Sequence, residues 1–176
     1  MIAVLQRVSQ GSVSVDNTLI SSITHGLVIF LGVMDNDEKN DCELLSKKIA
    51  NFRIFNDNNN KMNHSIKDVE GSTLVISQFT LCGDWRKGRR PSFIHAAPPE
   101  KGKQLYYDFM DSLKLKGVPV KAGEFGSMMD INLINEGPVT FVLDRLFLLH
   151  SLYSERKELE DNYIFSLFFR HIQLFL

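Results

Sequence analysis

The stretch "SQFTLCGDWRKGRRPSF", residues 77–93, brings hydroxyl, amide, thiol, carboxylate and guanidinium groups together in one short segment. Arg86, Lys87, Arg89 and Arg90 fall within five positions, Gly88 lets the backbone turn among them, and Trp85 and Phe93 flank the run. Cations interleaved with aromatic rings suit phosphate oxygens and stacked bases. A solvated loop tip would carry the same charge with no ligand at all. The run follows the small polar side chains of Ser77, Gln78 and Thr80, and Lys101 and Lys103 are positioned to extend it. A second irregular feature is "NEGPVT", residues 135–140, where Gly137 and Pro138 stand side by side at the mouth of an apolar run. Turn punctuation would explain that dipeptide by itself.

Familiar catalytic devices are missing. The chain has no GxSxG elbow, no HExxH, no GxxxxGK[ST] and no GxGxxG. Ser77, His95 and Asp84 can be written as a triad, but their spacing gives it no support. Cys82 is either a thiol nucleophile or a small buried packing residue. Asp130 and Glu136 are either paired acids or surface charges. The only two cysteines, Cys42 and Cys82, form no CxxC pair, which argues against a disulfide framework and a structural zinc site and predicts a reduced, cytoplasmic setting. The N-terminus alternates and carries Arg7, so it lacks the apolar core of a signal peptide.

These residues need a scaffold, and the 176-residue length with 44% hydrophobic content suffices for one domain with a sizeable core. The net charge of −1 shows no global bias toward nucleic acid, so the local clustering of cations carries the signal. "IAVLQRV" (2–8), "SVSV" (12–15) and "TLISSI" (18–23) alternate with period two around Asp16-Asn17 and predict short antiparallel strands. His25-Gly26 breaks the chain before "LVIFLGV" (27–33), a buried central strand. Asp37 is the expected N-cap of a first helix whose apolar face is Cys42, Leu45, Ile49 and Phe52. Residues 56–71 read as a surface loop with a short hairpin, and "STLVISQF" (72–79) as another strand. A second helix starts at Pro98-Pro99, buries Tyr106, Phe109, Met110 and Leu113, and stops at Gly117 and Pro119. "VPVKAG", "MMDINLI" and "VTFVLD" (139–144) are strand candidates. The expectation is an α+β fold with a mostly antiparallel, β-barrel-like sheet and two packed helices.

Residues 146–176 read differently. Two apolar stretches flank a charged "ERKELED", each too short to span a bilayer and the second interrupted by Arg170 and His171, which argues against a membrane anchor. The expectation is an atypical apolar extension, helical, appended to a domain covering 1–145.

Taken in order, "QRV" (6–8), "SQFTL" (77–81), "KGRRPSF" (87–93), "AGEFGSMM" (122–129) and "NEGPVT" (135–140) resemble the D-aminoacyl-tRNA deacylase family. Any one piece is weak, but the similarity runs unbroken from Met1 to about Asp144. The resemblance implies a cofactor-free and metal-free cytoplasmic enzyme that hydrolyses the ester of D-aminoacyl-tRNA, with glycine on non-cognate tRNA as a second substrate. It implies a homodimer with active sites at the interface, in which a cis Gly137-Pro138 peptide reaches into the partner's site and excludes L-amino acids. Arg7 would brace that loop, and the dipeptide's carbonyl oxygens would face the substrate ammonium. Ser77, Gln78, Phe79 and Thr80 would form the other wall, with a backbone N–H of Phe79 or Thr80 stabilising the oxyanion. Thr80 would be nucleophile or water-orienting hydroxyl, and with no adjacent base the route assisted by the neighbouring ribose 2′-OH is preferred. Lys87, Arg89 and Arg90 would meet the tRNA backbone. Phe125, Met128 and Met129 would lie near the terminal adenosine, although a Met-Phe cluster also reads as core. Two rival readings are a non-catalytic RNA-binding module and a metal-free esterase for small D-amino-acid esters.

Overall fold

The computed structural model describes residues 1–144, and the helical expectation for 146–176 lies outside the described residues. The chain divides into one unit of Met1–Asp144 and a second of Arg145–Leu176. In the first, strand β1 (Ile2–Val15) is one continuous element rather than two, and at Gly11 within it an added Cβ would lie 2.8 Å from Val28 and 3.4 Å from Ile23. It pairs with β2 (Thr18–Ile23) through its second half and with β3 (Gly26–Gly32) through its first. After β3 come helix α1 (Lys39–Ala50), the hairpin β4 (Phe55–Asn56) and β5 (Met62–His64), and strand β6 (Ser72–Ser77). Helix α2 (Pro99–Leu115) leads into β7 (Val120–Ala122) and a long final strand β8 (Asp130–Asp144) that runs antiparallel along the whole of β1.

The main sheet runs β2-β1-β3-β6-β7, with β8 on β1. The β3–β6 and β6–β7 pairings are parallel, so the sheet is mixed and the antiparallel expectation holds only for the pairings made by β1. The cause is connectivity: α1 lies between β3 and β6 and α2 between β6 and β7, and a strand reached through a helical crossover lies parallel to its predecessor. The sheet curls until its ends meet, where Ser21 Oγ donates to the Ala122 carbonyl at 2.6 Å and Lys121 Nζ to the Ser22 carbonyl at 2.7 Å.

Period-two alternation gives the curled sheet two cores. Val8, Val13, Ile23, Val28, Leu74 and Ile76 fill its interior. Thr73 and Val75, the alternate residues of β6, are also buried, and the Val75 carbonyl accepts the buried Tyr106 hydroxyl of α2 at 2.8 Å. The helices join through Ser46 and Ser112, whose hydroxyls lie 2.7 Å apart, and through the thiol of Cys42 on the Leu105 carbonyl. All four residues expected in the α2 stripe are buried. Asp37 is not the N-cap of α1. It is fully buried and pairs with the amino group of Met1, while Glu38 caps the helix and its N–H donates to Asp41 at 2.8 Å. Phe52 falls beyond the helix end, with its ring against Phe141.

Gly26 is where β3 and β6 begin side by side. Its φ is +155°, and a Cβ there would sit 1.8 Å from the Ser72 carbonyl oxygen. Backbone cannot yield as a side-chain tip can, so Gly26→Ala is expected to cost at least about 3 kcal/mol of unfolding free energy, read as a fall in denaturant midpoint. A shift below 1 kcal/mol would mean that the two strands separate freely there.

Candidate active site

The polar stretch after β6 is not extended to its end. Gln78 donates its backbone N–H to Leu31 at 2.8 Å, and Phe79–Cys82 then winds into a 3-10 turn. Gly32 makes the seat for it: a Cβ there would lie 2.9 Å from Leu81 Cβ, 3.1 Å from Cys82 Sγ and 3.1 Å from the Gln78 carbonyl. The leading N–H groups of a helical turn have no acceptor within it. Those of Phe79 and Thr80 have no backbone acceptor elsewhere among the described residues. Both residues are exposed, so the turn carries two backbone donors of the kind that can stabilise an oxyanion.

Thr80 Oγ1 accepts from Gln78 Nε2 at 2.5 Å, and no His, Asp or Glu among the described residues hydrogen-bonds to it. A hydroxyl without a base is a weak nucleophile but a competent guide for water. Cys82 is excluded as a nucleophile. Its thiol is buried on the Val33 carbonyl at 3.3 Å, and burial pushes its pKa up to about 11. The triad also fails, because the Asp84 carboxylate is engaged by Arg86 through Nε at 2.8 Å and Nη2 at 2.7 Å. Those bonds hold Asp84 well below the usual carboxylate range. Asp130 pairs with Ser14 at the start of β8, several residues before Glu136, so they are not paired acids.

The basic run forms a loop closed at its neck, where Asp84 and Ser92 exchange backbone hydrogen bonds of 2.7 and 2.8 Å. Gly88, with φ +74° and no atom near its missing Cβ, forms the bend. Arg86 is exposed too but pairs with Asp84 at 2.7 Å, so among the described residues three of the four cations lack an ion partner. Lys87, Arg89 and Arg90 are exposed and make no ion pair among the described residues. Phe93 ties the loop to the 3-10 turn, its ring centroid 4.9 Å from that of Phe79.

Gly137-Pro138 lies within β8 rather than ahead of a strand, and the peptide bond is cis. Between the pairs Gln6↔Thr140 and Val8↔Asn135, residues 136–139 stand opposite Arg7 alone, so the strand bulges out of the ladder. Gly137 is not in the left-handed region, which removes unusual dihedral angles as its reason for being glycine. What it supplies is clearance, because a Cβ would meet only Asn135 Oδ1, at 3.3 Å. The bulge is braced from behind. Arg7 is 4% exposed and donates Nε to the Glu136 carbonyl at 3.2 Å and Nη1 to the Ile54 carbonyl at 2.7 Å and Asn56 Oδ1 at 3.2 Å. Asn135 Nδ2 donates to the Arg7 and Val139 carbonyls at 3.0 and 3.1 Å.

One chain does not bring the bulge and the 3-10 turn together. Arg7 pairs with Leu27 of β3, whereas Ser77 pairs with Leu31, four residues or about 13 Å further along the strand. The bulge and the turn also stand on β8 and β6, with β1 and β3 between them. Of the three residues expected near the adenosine, Phe125 packs on Tyr106 at 5.6 Å, Met129 is partly buried against the interior core, and Met128 is 91% exposed.

A family model described as D-Tyr-tRNA(Tyr) deacylase matches residues 4–144. The fold and this match make the chain a member of an enzyme class, the deacylases of charged tRNA. A curated relative from Thermodesulfovibrio yellowstonii named D-aminoacyl-tRNA deacylase is 58% identical over 82% of this chain and 99% of its own length. One of the same name from Thermotoga petrophila is 50% identical over 82% and 97%. A solved structure titled c-Myc DNA Unwinding Element Binding Protein superposes with a TM-score of 0.77 at 36% identity, over 82% of this chain and 98% of its own. A second, titled as a probable eukaryotic D-amino acid tRNA deacylase, shares the fold with a TM-score of 0.72 at 19% identity, over 81% and 98%. The chain belongs to the D-aminoacyl-tRNA deacylase family. No group of three or more His, Cys, Asp or Glu among the described residues could hold a metal ion, and no helix among them is long and apolar enough to cross a membrane.

Proposed function

We propose that this D-aminoacyl-tRNA deacylase builds each active site from two copies of the chain, the 3-10 turn of one facing the Gly137-Pro138 bulge of the other. The separation of turn and bulge along β3 carries this reading, because a substrate ester at the turn is out of reach of the bulge on the same chain. The bulge is exposed yet held by the buried Arg7, which suits a wall presented outward. β8 is also an outer strand that leaves Ile134 and Val142 exposed at 57% and 66%, apolar surface available to a second copy.

D- and L-aminoacyl esters carry the same groups and differ only in direction from the α-carbon, so discrimination needs an immobile obstacle rather than a new hydrogen bond. Backbone cannot rotate away as a side chain can. In this reading the carbonyl oxygens of Gly137 and Pro138 accept from the substrate ammonium, and the wall stands where an L side chain would project. Glycine has no side chain to collide, which makes glycyl-tRNA charged on a non-cognate tRNA a second substrate. At the turn, the N–H groups of Phe79 and Thr80 receive the oxyanion while Ser77, Gln78 and Thr80 position the ester, and the neighbouring ribose 2′-OH assists water. Lys87, Arg89 and Arg90 engage the tRNA backbone, and Phe125, Met128 and Met129 border the terminal adenosine, with Met128 the most accessible. The same reading puts the enzyme in the cytoplasm, where free thiols such as Cys42 and Cys82 persist.

Incubation with D- and L-tyrosyl-tRNA, with native mass measured in parallel, tests this function. Hydrolysis of the D form alone by a dimer supports it, no hydrolysis of either supports a binding module, and turnover of free small esters supports the esterase. Thr80→Ala is expected to retain activity within about tenfold of the parent, because the backbone donors remain. Complete loss with tRNA binding intact would assign Thr80 a chemical role and overturn the RNA-assisted route.

A further inference from the structure

The loop after the turn carries a residue that the proposed chemistry does not use. Trp85 is 79% exposed, and its ring makes no ring contact among the described residues. A single exposed apolar residue is ordinary on a protein surface. This one differs in its setting. It sits immediately above the neck that Asp84 and Ser92 close, so its backbone is fixed while its ring is free. The next residue, Arg86, is folded onto Asp84 through both Nε and Nη2 and does not cover the ring. Lys87, Arg89 and Arg90 follow within five positions, all exposed and without an ion pair among the described residues.

We propose that Trp85 is a stacking platform for an unpaired base at the 3′ end of the substrate tRNA, with the cations of its own loop holding the adjoining phosphates. The proposal rests on the deacylase reading and deepens it. An aromatic face recognises a base only when that base is unstacked, which excludes the paired stem and selects single-stranded nucleotides. Location makes the same selection. The loop is fixed to the 3-10 turn by Phe93 on Phe79, and a Cβ at Gly83 would already lie 2.9 Å from the Phe93 ring, so neck and turn are packed closely together. If the ester is cleaved at the turn, the nucleotides within reach of Trp85 are those next to the ester-bearing ribose.

Trp85 is the only tryptophan in the chain, so its intrinsic fluorescence reports this contact without a label. The full chain is titrated with an uncharged tRNA and with the same tRNA lacking its unpaired 3′ nucleotides. Saturable quenching by the intact molecule, and little by the truncated one at equal occupancy, is the expected result. Equal quenching by both would overturn the proposal, because the ring would then be responding to the stem. In deacylation kinetics, Trp85→Ala should raise KM about tenfold with kcat within about twofold, and Trp85→Phe should recover most of that loss. An unchanged KM in Trp85→Ala, with circular dichroism as in the parent, would also overturn it. Failure of the parent to deacylate D-tyrosyl-tRNA is a separate outcome that sinks the deacylase reading and is scored before any variant is made.

Discussion

Replacing Gly137 by valine is expected to reduce D-tyrosyl-tRNA deacylation at least about a hundredfold while changing unfolding free energy by less than about 1 kcal/mol. The two halves of that expectation have different origins. Within its own chain Gly137 is exposed, lies outside the left-handed region, and would bring a Cβ only to 3.3 Å from a single side-chain atom, Asn135 Oδ1. The fold can absorb that by a few tenths of an ångström. A wall that excludes one enantiomer must stand against the other with almost no clearance, so if the bulge is that wall, the added methyl groups would occupy space that the D substrate needs. The hundredfold loss corresponds to roughly 2.7 kcal/mol of transition-state stabilisation. If Gly137→Val folds as the parent does and turns over D-tyrosyl-tRNA unchanged, the bulge is not at the active site.

The same variant distinguishes a cross-subunit wall from one acting within its own chain. Thr80→Pro deletes one turn donor, in a first helical turn where proline is tolerated, and is expected to lose about 100- to 1,000-fold in kcat. Mixed with Gly137→Val under subunit exchange, it forms hybrid dimers. In the cross-subunit arrangement one hybrid site joins an intact turn to an intact bulge, and the other carries both defects, so mixing two nearly inactive proteins restores activity. An arrangement within one chain leaves every site with one defect, and mixing restores nothing.

Much of this architecture could be read from residue pattern because its determinants are local. The α2 stripe of Tyr106, Phe109, Met110 and Leu113 follows from helical period and burial, and the Pro98-Pro99 pair marks its start. The continuous apolar run of β3 announces a strand buried on both faces. Direction of pairing is not local: alternation in β6 says which residues point inward but not that its neighbours β3 and β7 run parallel to it. Asp37 satisfies every local rule for an N-cap and is instead drawn beneath the amino terminus, a partner distant in sequence. The 3-10 turn was hidden for the same reason, since its seat is an absent side chain on another strand, at Gly32. The basic loop was legible as a cluster of cations, but not that Arg86 is paired with Asp84. The proposed site, shared between two copies, would leave still less trace, because spacing within one chain does not record distances between two. Only the resemblance carried by "SQFTL" and "NEGPVT" connected the turn to the bulge.

Arg7 is where stability and selectivity should be lost together. Its guanidinium is buried and ties three otherwise distant groups, the Glu136 and Ile54 carbonyls and Asn56 Oδ1. Arg7→Ala strands these acceptors and opens a cavity, for an expected cost of about 2–4 kcal/mol. The Glu136 carboxylate contributes little of that. It lies 3.8 Å from Arg7 Nε and is 46% exposed, a geometry in which an ion pair is worth at most about 1 kcal/mol. Glu136→Gln should therefore be nearly neutral in denaturant midpoint, whereas Arg7→Lys, with one ammonium in place of a planar fork, should fall between parent and alanine. The decisive readout is chirality. A purely structural arginine would lower the folded fraction and leave the ratio of D to L turnover intact. If Arg7 instead holds the wall still, the bulge in Arg7→Ala can yield to an L side chain, and L-tyrosyl-tRNA hydrolysis should rise relative to D in the protein that remains folded. A D/L ratio equal to the parent's, measured at a temperature where the variant is fully folded, would reduce Arg7 to a packing residue and leave the bulge held by Asn135 alone.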